Sequence, residues 1–389
     1  MTQQLLIAGG GLGGLATALA CSRAGWQVRL YEQASVFSEV GAGIQLGPNS
    51  TRLLHGWGLA AELERICAAP ARLVVRSATD GAELASMGLG RDFETRYGAP
   101  YATVHRADLH DVLLAAARQG GAALTLSARV EAVTQTDGAV TLGTQGRQVE
   151  GGALIGADGL WSMVRSLVVD DGPPRPAGHL AWRALAPSQA LPAELRIGDV
   201  NVWLGPALHA VAYPVRGGDF LNVVVVVQGR RAGDPKQWDH SGKREELMSA
   251  LGPVCSGLWH LVEAMPRWGL WVLHDRPPMR GPQEMARGRI ALLGDAAHPM
   301  RPYLAQGAGM AIEDAAELGR VLATGDAGVD VPAALVRYAS NRWQRCARVQ
   351  SRSQRNGRIF HATGPVSWGR NLALRVAGER LLDLPWLYR

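Results

Sequence analysis

Gly9, Gly11 and Gly14 stand in the spacing Gly-x-Gly-x-x-Gly, between the apolar run Gln3–Ala8 and the Ala- and Leu-rich run Leu12–Ala24. The first glycine permits a tight turn, the second leaves room for a pyrophosphate against the backbone, and the third lets a helix pack closely on a sheet. The helix N-terminus then offers free N–H groups to the phosphates. Glu32, with Gln33 beside it, closes the next apolar run, Gln27–Tyr31, at the distance expected of a carboxylate that accepts ribose hydroxyls. Strand, motif, helix, strand and acid together describe a dinucleotide site. They do not separate FAD from NAD, and a glycine turn in an ordinary α/β domain is the alternative.

Two further acidic positions end short apolar runs: Asp158 in Gly156-Ala-Asp-Gly159, and Asp295 in Gly294-Asp-Ala-Ala-His-Pro299. A carboxylate at a buried strand end must be hydrogen-bonded. Asp158 either caps the helix that follows or holds a loop near the phosphates. Asp295 suits a polar chain of the cofactor, and His298 reads as a base or as a structural histidine before proline.

The run Leu208–Val215 alternates as a strand does, which puts His209, Val211 and Tyr213 on one face. A histidine titrates near neutral pH, so His209 could accept a phenolic proton, with Tyr213 as its catalytic partner. The alternative is that both decorate a half-buried sheet. Arg183 is the best visible cation for a substrate carboxylate. Trp182, Trp203, Trp259, Trp268 and Trp271 line a pocket or, more safely, fill a core.

These residues need a large scaffold, and 389 residues that are 47% hydrophobic supply one; two domains are expected. The longest purely apolar run, Val223–Val227, suits a buried strand and is far too short to span a bilayer. The N-terminus opens directly into a strand pattern, so no export signal is expected and a cytoplasmic location follows. Cys21, Cys67, Cys255 and Cys346 have no metal-type or paired spacing, so no metal is expected. The net charge of +6 comes from arginine. No nucleic-acid motif accompanies it, which leaves a solvated helical face or a field that attracts an anionic substrate.

The pattern predicts one helix over Leu53–Cys67, strands over Leu73–Met87 around the turn Asp80-Gly81, a helix over Asp108–Gln119, a strand over Leu124–Val133, and mostly strand from His179 to Leu273. Helices follow at Glu245–Leu251, Gly307–Leu322 and Val331–Arg355. The expected organisation is a Rossmann-like α/β domain in three parts (1–72, 101–175 and 285–389, the last with C-terminal helices) interrupted by a sheet-based substrate domain (73–100 and 176–284).

Taken together the segments resemble the single-component flavin-dependent aromatic hydroxylases, in the branch with salicylate hydroxylase, 3-hydroxybenzoate 6-hydroxylase and 6-hydroxynicotinate 3-monooxygenase. Gly41-Ala-Gly-Ile-Gln-Leu-Gly-Pro-Asn49, His105-Arg-Ala-Asp-Leu109 and Ala305-Gln-Gly-Ala-Gly-Met-Ala-Ile-Glu-Asp314 carry the resemblance over most of the chain. It implies bound FAD, NADH or NADPH as reductant without a second Rossmann module, and oxygen transfer to a small aromatic acid through a flavin C4a-hydroperoxide. It implies Arg106 near the FAD ribityl or phosphate region, and the backbone at Gly13, Val130 and Ala308 along the cofactor. Asp295 would meet the ribityl chain, and the helix opening at Gly307 would face the flavin pyrimidine edge. Gly41–Gln45 would border the ring and the substrate. Where the hydroxynicotinate members resemble Gly-Ala-Gly-Ile-His, this chain has Gln45, which favours a hydroxybenzoate. The rival readings are a flavin oxidase and a non-catalytic flavin or aromatic-acid sensor. The expected form is a monomer or homodimer, in the catabolism of aromatic compounds, without a stable membrane anchor or nucleic-acid partner.

Overall fold

The computed structural model describes residues 4–37, 42–230, 240–323 and 329–389. Gly41 of the expected ring-bordering segment lies outside them. The chain divides into two compact units, 1–39 with 107–175 and 275–353, and 40–106 with 176–274 and 354–389. The sequence pattern instead places 40–72, 101–106 and 354–389 with the dinucleotide-binding parts and 275–284 with the sheet-based domain.

The first unit is built on a six-stranded sheet in the order Ala286–Arg287, Ile290–Leu292, Ala153–Gly156, Gln4–Ala8, Gln27–Tyr31, Ala123–Thr125. Its pairs are parallel except for the hairpin at 286–292. Leu5, Leu6 and Ile7 are fully buried, as a parallel strand covered on both faces requires. Helices Leu12–Arg23 and Gly307–Val321 pack on one another. An antiparallel meander, Val130–Gln135, Val140–Thr144 and Arg147–Gly151, completes the unit.

The second unit carries an eight-stranded sheet in the order His240–Gly242, Trp268–Asp275, Arg175–Pro187, Phe220–Gln228, Leu208–Val215, Val200–Gly205, Arg72–Ser77, Glu83–Gly88. One face packs Trp182, Ala184, Trp203, Ala210, Ala212, Val223 and Val225 against helices Arg244–Leu251 and Ser256–Ala264. On the other face Val75, Leu84, Ala85 and Leu204 meet Leu374 of the C-terminal helix Gly364–Ala377. A small sheet of Gly43–Leu46, Ala102–His105 and Cys67–Ala68 accompanies it.

Three elements differ from the sequence pattern. The helix expected over Leu53–Cys67 is two, Pro48–Gly56 and Ala60–Ile66, parted where Gly58 takes a φ of 80°. The strand expected over Leu124–Val133 is broken between Ala123–Thr125 and Val130–Gln135, where Ser127 takes a φ of 52°. Helix Ser256–Ala264 lies in the stretch read as mostly strand; its apolar positions Leu258, Leu261 and Val262 face the core, a helical spacing masked by the strands around it.

Candidate active site

In the first unit the glycine motif forms the turn between Gln4–Ala8 and helix Leu12–Arg23. Gly9 has a φ of 105°, and a Cβ there would overlap the Ala157 carbonyl. Gly14 leaves no room for a side chain against the Gly9 carbonyl. The helix has no side-chain cap, and Gly11 and Gly13 stay partly accessible. Its first amides are therefore open to an anion. Glu32 braces the turn: its two oxygens accept from Gly10 N at 2.6 Å and Ala34 N at 2.8 Å. Each carboxylate oxygen has a second lone pair, so a ribose hydroxyl can still donate to it. His110, a residue with no sequence signal, holds the Gly10 carbonyl at 2.8 Å.

Asp158 accepts from Ser162 Oγ at 2.5 Å, Met163 N at 2.8 Å and Val164 N at 3.2 Å. Its carboxylate organises the start of helix Met163–Val168. Burial raises its pKa and these hydrogen bonds oppose the rise. Asp295 is exposed in the turn Gly294–Ala296, and Val130 opens its strand half-buried. Ala308 lies in the uncapped first turn of helix Gly307–Val321, half-buried, with open amides like those of the first helix. Two uncapped helix N-termini and a braced glycine turn offer donors, and the partly committed Glu32 an acceptor; together they fit a dinucleotide such as FAD.

The segment Gly294–Arg301 hangs from buried side chains. Arg165 Nη1 donates to the carbonyls of Ala296 and Ala297 at 2.9 and 2.5 Å, Gln350 Nε2 to that of Pro299 at 3.1 Å, and Ser353 Oγ to that of Arg301 at 2.5 Å. Asp314, fully buried, accepts from Gly294 N at 3.1 Å, pairs with His298 Nε2 at 2.6 Å and with Arg342 Nε at 2.7 Å. Burial would raise the pKa of Asp314, but His298 and Arg342 hold it well below the carboxylate range. Burial works against a charged His298; Cys346 and Asp314 outweigh it, so its pKa stands well above normal. His298 is thus an internal ion-pair partner. His298, Asp314 and Cys346 also have metal-ligand spacing, but the Arg342 guanidinium already serves them, at 2.7 Å from Asp314 Oδ1 and 3.7 Å from Cys346 Sγ.

In the second unit register defines a floor. Arg183 pairs with Val224, Val224 with Val211, and Val211 with Val202, so the four form one line across four strands and point to one face. All four are half-buried. One line further along, Asn222 and Tyr213 pair; on the other side Val226, His209 and Leu204 do, and all of these are buried. Val202 packs against the Leu374 cluster, so the half-buried strip left is Arg183, Val224 and Val211, bounded by Tyr213 and Asn222 on one side and His209 on the other. The guanidinium of Arg183 stacks 4.7 Å from the Trp271 ring, and among the described residues it has no carboxylate partner. Burial lowers its pKa somewhat, Tyr213 opposes this, and Arg106 adds to it. Trp182, Trp203 and Trp268 belong to the core on the other face, and Trp259 is 38% exposed.

His209 Nδ1 lies 2.7 Å from His361 Nε2. Burial, then the nearness of His361 and His179, push its pKa well below 6.5, so the imidazole is neutral. Tyr213 donates to the Gly43 carbonyl at 2.6 Å, and burial keeps its pKa far above 10. Gly43 N donates to Asn222 Oδ1 at 2.7 Å. Gln45 Oε1 accepts from Tyr101 at 2.5 Å, and the Gln45 side chain also hydrogen-bonds Tyr213. Arg106 begins helix Arg106–Gln119, its N–H bonded to Ala42 O at 2.9 Å. The structure therefore brings Gln45, Arg183, Tyr213 and His209 to one sheet face or its covering strand. Tyr101, Asn222 and His361 join them; none carried a periodic or motif signal.

Comparison with known proteins gives the same class. The FAD binding domain family model matches residues 2–353. A 3-hydroxybenzoate 6-hydroxylase of Polaromonas naphthalenivorans is 39% identical over 99% of this chain and 95% of its own. A 6-hydroxynicotinate 3-monooxygenase of Bordetella bronchiseptica is 38% identical over 91% of each chain. The crystal structure of Klebsiella pneumoniae HpxO complexed with FAD and uric acid superposes with a TM-score of 0.85 at 24% identity, covering 98% of this chain and 94% of that one, and shares the fold. The chain belongs to the FAD binding domain family. Within it, the chain is a flavin-dependent aromatic monooxygenase that binds FAD and draws electrons from NAD(P)H.

Proposed function

We propose that this monooxygenase hydroxylates a hydroxybenzoate. The observation that carries the reading is Arg183, a half-buried cation stacked on Trp271 in line with the apolar Val224 and Val211, with no carboxylate of its own among the described residues. A benzoate carboxylate supplies the missing partner, and the valines supply a floor for the ring. Gln45 supports a hydroxybenzoate over a hydroxynicotinate, because it stands where those members resemble histidine.

The glycine turn and Glu32 would hold FAD, which would supply the redox and oxygen chemistry. The protein binds and orients the acid and prepares its ring. His209, neutral and backed by His361, accepts the phenolic proton at its imidazole nitrogen; a phenolate is richer in electrons than a phenol. Tyr213 keeps its own proton and holds Gly43, so its part is positioning. A cytoplasmic location belongs to the same reading. Among the described residues no helix is long and apolar enough to cross a membrane. A monomer or homodimer without a stable membrane anchor belongs to the same reading.

The test is oxidation of NADH and of NADPH with 3-hydroxybenzoate, 4-hydroxybenzoate, salicylate or 6-hydroxynicotinate, followed by product analysis. Strong stimulation by a hydroxybenzoate with a hydroxylated product is expected. Stimulation by 6-hydroxynicotinate alone would move the substrate to the pyridine class, and no stimulation by any would overturn the proposal.

A further inference from the structure

We propose that Asn222 is a substrate-reading residue: its side-chain amide gives the carboxylate a second donor beside Arg183 and transmits that contact to the Gly43 strand. The inference rests on the hydroxybenzoate reading above.

The hydrogen bonds around Gly43 run in one direction. Tyr101 O–H donates to Gln45 Oε1, which leaves the Gln45 amide to donate to Tyr213. Tyr213 O–H donates to the Gly43 carbonyl, and Gly43 N–H donates to Asn222 Oδ1. Asn222 Nδ2 ends the series; it is buried and has no partner among the described residues. Because Oδ1 faces the Gly43 N–H, the planar carboxamide turns Nδ2 away from that strand.

An unpartnered buried amide is costly, and the hydrogen bond that Oδ1 accepts from Gly43 N–H polarises the carboxamide and makes Nδ2 a stronger donor. What it lacks is an acceptor. Asn222 lies two residues from Val224 on the same strand and face, and Val224 pairs with Arg183. The anion assigned to Arg183, on the same sheet face, is the acceptor this amide would take. Trp271 Nε1, also buried and without a partner among the described residues, sits in the ring beneath that arginine. Guanidinium, amide and indole are all donors, and no acceptor among them competes for a proton. Such a set selects a carboxylate over a carboxamide.

Asn222→Asp inverts the amide alone. It keeps an oxygen for Gly43 N–H and sets a carboxylate where the donor stood. The dissociation constants of 3-hydroxybenzoate and 3-hydroxybenzamide are to be measured on the FAD-loaded protein by the change in flavin absorbance. Wild type is expected to prefer the acid. Asn222→Asp is expected to shift the preference toward the amide by about a hundredfold, from loss of one charge-assisted hydrogen bond and gain of a repulsion. If wild type binds the acid and the preference does not move, the role of Asn222 is overturned. If wild type binds neither compound, the hydroxybenzoate reading fails instead. Should Asn222→Asp not retain FAD, Asn222→Ser is read in the same way: the acid is expected to lose about tenfold more than the amide, and equal losses overturn the proposal.

Discussion

Tyr213 and Gly43 are joined by a hydrogen bond of 2.6 Å from the tyrosine hydroxyl to the glycine carbonyl, and the same tyrosine ring occupies the space a Gly43 side chain would need. A Cβ on Gly43 would lie 2.6 Å from Tyr213 Cε2 and 2.7 Å from Asn222 Cγ. Close approach, more than backbone freedom, therefore fixes glycine here. Gly43→Val must push the strand off the sheet. We expect FAD to be retained and NADH-driven flavin reduction to slow by about a hundredfold, the size of loss that follows a small misplacement in a site. Flavin content and stopped-flow reduction rates decide; loss of FAD with normal reduction in the remaining holoenzyme would contradict this account.

His209→Ala should retain FAD and slow hydroxylation by roughly a hundred- to ten-thousandfold, the range for a positioned base. In wild type the imidazole is neutral at neutral pH and stays so somewhat below pH 6.5. Turnover should accordingly hold on going from pH 7.5 to 6.5 and fall only at lower pH. Stability has the same sign. The unfolded histidine, with a pKa of about 6.5, takes up its proton first as pH falls. Its contribution is present above that value and lost below it. A pH–rate profile and thermal melts across pH 5–8, for wild type and the variant, test both statements.

Arg183→Met should raise KM for a hydroxybenzoate by about ten- to a hundredfold through loss of a charge-assisted pair, with a smaller effect on kcat. Arg183→Lys should recover only part of the loss, because a compact ammonium neither stacks on Trp271 nor offers a planar fork. Steady-state kinetics on both variants would show it. A KM unchanged by either substitution moves the carboxylate site elsewhere.

Asp314→Ala leaves the buried charges of His298 and Arg342 without their shared partner. A cost of about 3–5 kcal/mol is expected, seen as a clear fall in the melting temperature of the holoenzyme. The pair is also a pH device. Asp314, depressed, stabilises the fold above the ordinary carboxylate range of about 4 and less as pH falls through its folded value. His298, raised, stabilises fully below pH about 6.5 and less as pH rises through its folded value. Melts of wild type and Asp314→Ala should differ most between pH 4 and 6.5; a constant difference across the range would contradict the pairing.

Glu32→Ala removes the brace under Gly10 and Ala34 as well as the ribose acceptor. It should lower FAD occupancy more than Glu32→Gln, which keeps one oxygen acceptor. Arg106→Ala should lower occupancy too. The ratio of flavin to protein absorbance measures this, and full occupancy in Glu32→Ala and Arg106→Ala would remove both from the cofactor site.

The sequence by itself determined the dinucleotide turn, because Gly9, Gly11, Gly14 and Glu32 act through local backbone geometry at short spacing. It also determined the shared face of His209, Val211 and Tyr213, because a strand alternates with a period of two. Strand pairing lies outside that reach. Only register put Arg183 in line with Val224 and Val211, and only the fold brought Gly43 against Asn222, 179 residues away, and His361 against His209, 152 residues away. Asn222 and His361 carry no motif. Their chemistry comes from being buried beside particular partners, and burial with partners distant in the chain is a property of the tertiary structure alone.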